Sequence, residues 1–212
     1  ARRRIATGLL GLDDLLGGGI CTGATYELVS LGGASATWSL ALHAATAAIM
    51  PTAVSPKAKT EPEEGHLETK TTATKAELRA VRLCLDPALI GGRWLIWMDP
   101  EGELYPPAAA ALGTPLERLL VVRAPRAADV LWATEQALRC RAVAAVVAPL
   151  RALDVAASRR LQLAAEEGGG VGLLLREGPA RGPCFAVGRL ACEPAGGTLR
   201  VLRVRVTVQR LR

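Results

Sequence analysis

The 212-residue sequence predicts an α/β fold, with a mostly parallel central sheet flanked by helices and a C-terminal antiparallel hairpin. Apolar runs of strand length alternate with amphipathic helical stretches, which is typical of a parallel sheet covered by helices. Several runs are apolar on both faces, as buried parallel strands are. Half of the residues are apolar, so a single core can form, and we expect one domain over residues 1–212.

The elements follow in order along the chain. Apolar runs predict strands at residues 26–30, 94–98, 119–123, 143–148 and 171–175. Helical periodicity predicts helices at residues 37–49, 107–112, 127–140 and 154–167. Asp154 is the predicted N-cap of the last helix, and the glycines after Glu167 predict its end.

The C-terminal residues predict a hairpin. Residues 184–192 and 198–209 alternate apolar and polar side chains around a predicted turn at residues 194–197. In the second strand the residues at even positions 202–208 are apolar, whereas Arg203 and Arg205 fall on the opposite face together with Thr207 and Gln209. One face is therefore expected to pack and the other to be basic.

Residues 51–75 differ from their surroundings. They contain three prolines, many threonines and almost no large apolar residue, so they cannot join a core. We predict a mobile surface insertion, well beyond the usual connection length. A loop that orders on a partner is the alternative.

Composition excludes several classes of protein. No stretch approaches the roughly 20 uninterrupted apolar residues of a membrane span. The five cysteines include no C-x-x-C pair, so we expect reduced thiols in a cytoplasmic protein and no metal site. Aromatic residues make up 3%, which argues against a platform for stacking nucleic-acid bases.

Positive charge is concentrated at the end of the chain. Residues 176–212 hold eight arginines and two glutamates, a balance of +6 that equals the net charge of the whole chain. Such asymmetry indicates contact with an acidic partner, either a protein surface or nucleic acid. The predicted contact residues are Arg200, Arg203, Arg205, Arg210 and Arg212. A face that arginine merely keeps soluble is the alternative.

A loop of small residues follows the first predicted buried strand. A working P-loop needs a glycine-framed loop, a lysine that reaches the outer phosphates, and a Ser or Thr hydroxyl on magnesium. The loop here contains Gly32 and Gly33, and Ala36, Thr37 and Trp38 fall at the Gly-Lys-Ser/Thr positions. The cation is missing, and we expect an indole at the place of a small hydroxyl.

The order of these segments resembles the RecA ATPase core. Residues 97–101, 112–113 and 119–122 continue the likeness, and residues 130–149 extend it to the strand that carries the magnesium-organising Asp in RecA-like proteins. More specifically, residues 119–125, 131–139, 161–168 and 172–176 are similar to ImuA, a RecA-like accessory family of bacterial mutagenic translesion synthesis.

The resemblance implies a RecA-like fold that works without ATP turnover. Ala148 stands at the position of the magnesium-organising Asp, and Glu101 at that of the glutamate that activates water. Phosphoryl transfer depends on positioning and charge neutralisation, so losing lysine and carboxylate together removes its main catalytic terms. We therefore predict no catalytic residue, no bound nucleotide and no cofactor, and we interpret Glu101 as a solvated loop acid.

The resemblance also implies partners. These are RecA, an ImuB-type homologue of Y-family polymerases and the associated replicative-type polymerase, in the bacterial cytoplasm and at the nucleoid during SOS-induced mutagenesis, with at most weak DNA binding and no membrane. Three alternatives remain. They are a DNA-binding accessory that uses the C-terminal arginines, a divergent RecA-like ATPase, and a cell-division inhibitor of the SulA type.

Overall fold

The computed structural model describes residues 2–50, 93–179, 182–198 and 201–211. The predicted insertion at residues 51–75 lies outside the described residues. Among the helices in the described ranges, none combines the length and the hydropathy needed to cross a membrane.

The described residues form nine strands and five α-helices. The strands are β1 (Arg4–Ile5), β2 (Ile20–Cys21), β3 (Ala24–Ser30), β4 (Trp94–Met98), β5 (Leu119–Val122), β6 (Val143–Pro149), β7 (Val171–Glu177), β8 (Gly188–Thr198) and β9 (Val201–Leu211). The helices are α1 (Leu10–Leu15), α2 (Ala34–Ile49), α3 (Pro106–Ala111), α4 (Ala127–Arg139) and α5 (Val155–Gly168), and a 3-10 turn covers Leu116–Arg118.

Seven strands form the central sheet, in the order β5-β4-β6-β7-β3-β8-β9. Every neighbouring pair is parallel except β8 and β9, which form the C-terminal antiparallel hairpin. β1 and β2 make a separate two-stranded sheet. The predicted α/β class, with a mostly parallel sheet and a terminal hairpin, is confirmed.

Helices cover the sheet on both faces. On one face, α2 packs on alternate residues of β3, β4, β6 and β7, together with the valines of β9. On the other face, α4 and α5 cover the remaining apolar residues of β4, β6 and β7. Asp154 caps α5 as predicted, because its Oδ1 accepts a 2.6 Å hydrogen bond from the amide of Ala157. Gly169 ends that helix at a φ of 72°, where a Cβ is disfavoured.

The hairpin prediction is wrong in two details. The first strand begins at Gly188 rather than residue 184, and pairing continues through Thr198 and Val201. Residues 194–197 are therefore an irregularity inside the ladder and not its turn. Pro194 cannot donate to the ladder and Gly196 has a φ of 81°, which is the combination that produces a bulge.

A buried ion pair joins the hairpin to the parallel strands. Glu27 of β3 and Arg189 of β8 stand opposite each other in the sheet, and Arg189 Nε donates a 2.8 Å hydrogen bond to Glu27 Oε2. Their side chains are 1% and 10% exposed. Arg189 Nη1 also donates to the carbonyl of Gly182. Removal of Arg189 would take from the buried Glu27 carboxylate the charge that pairs with it.

Replacing Glu27 by Ala is expected to lower the free energy of unfolding by about 3–5 kcal/mol, because it breaks a buried ion pair by removing one partner. Urea denaturation measures the change. As a control, Arg205→Ala breaks the exposed pair with Glu193 and should cost less than about 1 kcal/mol. The double change Glu27→Leu with Arg189→Met should recover much of the loss. Equal effects of the two single changes would contradict the assignment.

Candidate functional site

The connection after β3 is short. Only Leu31, Gly32 and Gly33 lie between the end of β3 and the start of α2 at Ala34. The P-loop pattern places four residues between its first glycine and the Gly-Lys pair. Here α2 begins three residues before the predicted position 37, so Ala36, Thr37 and Trp38 are helical. The backbone that would surround a phosphate is largely absorbed into the helix.

Gly32 has a packing role. A Cβ at this position would lie 3.0 Å from Cδ of Pro194 on β8, so the residue lets the hairpin approach the loop closely. Gly33 precedes α2 with a φ of 113°, and Ser30 Oγ donates a 2.6 Å hydrogen bond to its carbonyl. The two glycines are accounted for by the local backbone and by β8.

The three residues at the Gly-Lys-Ser/Thr positions pack inward. Ala36 and Thr37 are buried, and the Trp38 indole lies 5.3 Å from that of Trp97, with the rings inclined at 43°. Trp97 belongs to the core beneath α2. None of the three positions carries a charge.

The buried Thr37 hydroxyl makes no well-formed hydrogen bond to any described residue. Its remaining interaction is a weak one with the Cys192 thiol. Burial, the larger effect, raises the pKa of that thiol to about 11, and Thr37 acts in the opposite direction. The hydroxyl is enclosed by the protein, and its lack of a strong hydrogen bond costs stability.

The end of β6 carries no carboxylate. Ala148 is fully buried in the cluster beneath α4 and α5, whereas Val147 faces the α2 side of the sheet. Pro149 is the last residue of β6. The side chains of all three residues are apolar.

Two acidic residues follow β4. Glu101 is exposed and its Oε1 accepts a 2.6 Å hydrogen bond from Arg151. Asp99, to which sequence reasoning assigned no role, is buried and accepts hydrogen bonds from the backbone amides of Glu103 and Leu104. Asp99 therefore shapes the loop that places Glu101. An Asp directly after a buried strand was the available signal.

A cavity of about 450 Å³ opens where β3, β4, β6 and β7 end, and we refer to it as the strand-end cavity. Its apolar lining includes Trp38, Leu131, Leu150 and Leu175. Thr37 also lines it. The charged lining residues are Asp99, Glu101, Glu103, Glu177, Arg151 and Arg176, so four acids against two arginines give a net charge of −2.

The structure brings together only part of the predicted arginine set. Arg203 and Arg205 are exposed on one face of β9, next to Glu193 of β8. Arg210 is half-buried and pairs with Arg189, beyond a register shift that separates it from the valines of β9. Arg200 and Arg212 lie outside the described residues. Among the described residues of β9, the exposed arginines are Arg203 and Arg205, and we refer to these two as the basic surface of β9.

Comparison with known proteins bears on this arrangement. ImuA from two strains of Caulobacter vibrioides is 42% identical to this chain over 104 residues, which is 49% of the chain. The predicted similarity to ImuA is confirmed. The match covers 43% of each relative, so the chain spans less than half the length of the ImuA proteins it matches.

Two further matches involve SulA. The family model described as cell division inhibitor SulA matches residues 82–172. SulA from Edwardsiella piscicida is 31% identical over 84 residues, which is 40% of this chain and 50% of that protein. The ImuA match is longer and closer, so the alternative of a SulA-type inhibitor is not favoured.

The fold has a solved counterpart. A KaiC-like protein from Pyrococcus horikoshii superposes with a TM-score of 0.57 at 15% identity, covering 100% of this chain and 90% of that one. At this identity the likeness concerns the fold alone. The expected RecA-like core is confirmed.

Replacing Trp38 by Ala is expected to lower the free energy of unfolding by about 2 kcal/mol, because the half-buried ring loses its contact with Trp97. Trp38→Phe keeps an aromatic ring there and should retain most of the stability. Chemical denaturation of the two variants measures the difference. If Trp38→Ala unfolds like the unmodified chain, the indole is not part of the core.

Proposed function

We propose that this chain is a non-catalytic, RecA-like accessory protein of DNA-damage-induced mutagenesis, which binds RecA, ImuB-type polymerase components, or both. The similarity to ImuA over 104 residues is the observation that carries the proposal. Three features support the non-catalytic part. They are the three-residue connection before α2, the uncharged residues at positions 36–38, and the apolar end of β6.

The charge around the strand ends also opposes nucleotide binding. A nucleoside triphosphate carries several negative charges, and the adjoining cavity has a net charge of −2. A working site of this kind uses lysine and a metal ion to neutralise the phosphates. Glu101 is held in an ion pair by Arg151, and we assign it no catalytic role.

Magnesium ATP is expected to leave the melting temperature of the chain unchanged. A ligand that binds only the folded state at about 100 times its dissociation constant adds about 2.7 kcal/mol of stability, which a thermal shift detects readily. The measurement compares the chain with and without magnesium ATP, and includes Glu101→Gln. Stabilisation by ATP, or ATP hydrolysis that Glu101→Gln abolishes, would instead support a divergent ATPase.

We expect the partner to contact the basic surface of β9. Arginine forms bidentate bonds with carboxylates, so Arg203 and Arg205 suit an acidic protein face. In a pull-down of RecA and of the ImuB-type protein, Arg203→Ala with Arg205→Ala should weaken capture about tenfold for the partner that uses this surface, as expected for charge pairs at an interface.

A matched control removes the same charge elsewhere. Arg123 and Arg141 are exposed on other parts of the molecule, and their replacement by Ala should leave capture unchanged. Equal loss in both double variants would indicate a general charge effect. Failure of the unmodified chain to capture either partner, with and without DNA, would overturn the proposal.

A DNA-binding accessory is the second candidate, because the same two arginines would suit phosphates. Counterion release makes DNA affinity fall with salt, at about 0.9 logarithmic units per phosphate contact. If Arg203 and Arg205 each contact a phosphate, their replacement by Ala should reduce the salt slope by about 1.8. An unchanged slope would favour the protein partner.

A further inference from the structure

We propose that the strand-end cavity binds a short segment of a partner protein, which inserts one apolar side chain and carries a basic residue beside it. The inference deepens the proposed function, since it assigns a partner-binding role to the place where RecA-like ATPases work on nucleotide. It rests on the walls of the cavity and on its charge.

The walls and the size suit an apolar side chain. Trp38, Leu131, Leu150 and Leu175 line the cavity, and so do prolines at the ends of β4 and β6. A volume of about 450 Å³ lies within the range of binding pockets, which runs from about 300 to 1,000 Å³. Burying an aromatic or aliphatic group against these walls would contribute a favourable free energy of binding, because apolar surface is removed from water.

The charge of the cavity selects a basic segment. Asp99 is held by backbone amides and Glu101 by Arg151, whereas Glu103 and Glu177 are exposed and form no ion pair with another described residue. These two carboxylates leave a negative rim. A lysine or arginine next to the inserted side chain would meet it, whereas a phosphorylated or acidic ligand would be repelled.

The test is a nuclear magnetic resonance titration of the full 212-residue chain with three matched peptides. The first is acetyl-Gly-Lys-Phe-Lys-Gly-amide, the second replaces both lysines by glutamates, and the third replaces phenylalanine by glycine. The first peptide should shift the backbone signals of Thr37, Leu131 and Arg176. It should bind about tenfold more tightly than either of the others, because each lacks one of the two complementary features.

Variants of the chain test whether the peptide binds in the strand-end cavity and whether the acidic residues attract it. Ala128 is exposed at the cavity, so Ala128→Trp should fold normally, fill the opening and abolish the shifts. Glu103→Lys with Glu177→Lys changes the cavity charge from −2 to +2 and should weaken the first peptide about tenfold. The control, Asp14→Lys with Glu117→Lys, makes the same change in net charge at exposed positions away from the cavity and should leave binding unchanged.

Several results would overturn the inference. They are absence of shifts at the cavity, equal binding of the basic and acidic peptides, or full binding by Ala128→Trp. Each leaves the proposed function intact, because the pull-down and the ATP thermal shift do not depend on this cavity. Stabilisation by magnesium ATP with normal peptide binding would reject the non-catalytic proposal while retaining the peptide site.

Discussion

Strand β3 is buried at all seven of its residues and has a parallel neighbour on each side, and this constraint positions the rest of the fold. Its side chains at residues 24, 26 and 28 belong to the core beneath α2, while Thr25 and Glu27 require partners on the opposite face. Gln162 of α5 accepts hydrogen bonds from the amide and the hydroxyl of Thr25, and Arg189 of β8 pairs with Glu27. A strand that buries a carboxylate and a hydroxyl is stable only where α5 and β8 are in place.

The same strand determines what the adjoining site can do. Because three residues connect β3 to α2, the first turns of the helix lie at the strand ends, and Trp38 packs on Trp97. In an ATPase of this architecture, lysine and metal gather negative charge at these ends. Here acidic residues outnumber arginines around an apolar cavity, so the strand ends favour positively charged groups over phosphates. The parallel strands and α2 are retained.

Much of the sheet was predictable from sequence, because a parallel strand buried on both faces is an uninterrupted apolar run. Residues 94–98 were predicted to the residue, and the Asp154 cap followed from a single side chain. The short elements β1, β2 and α1 were missed, since two-residue strands and a six-residue helix leave too little periodicity to read. The Glu27–Arg189 pair depends on which strands are neighbours, which local patterns do not contain.

The arginines show what side-chain alternation alone does not predict. A register shift between β8 and β9 separates Arg205 from Arg210, so counting alternate residues along the sequence does not give the face on which Arg210 lies. What required the structure was the distinction between two oppositely charged surfaces: an acidic cavity at the ends of β3, β4, β6 and β7, and a basic face on β9. Surfaces of opposite charge on different elements attract different chemical groups and can be occupied at the same time. A partner with a basic, apolar segment and an acidic face could therefore engage both, and a charge change at one surface would leave the other contact in place.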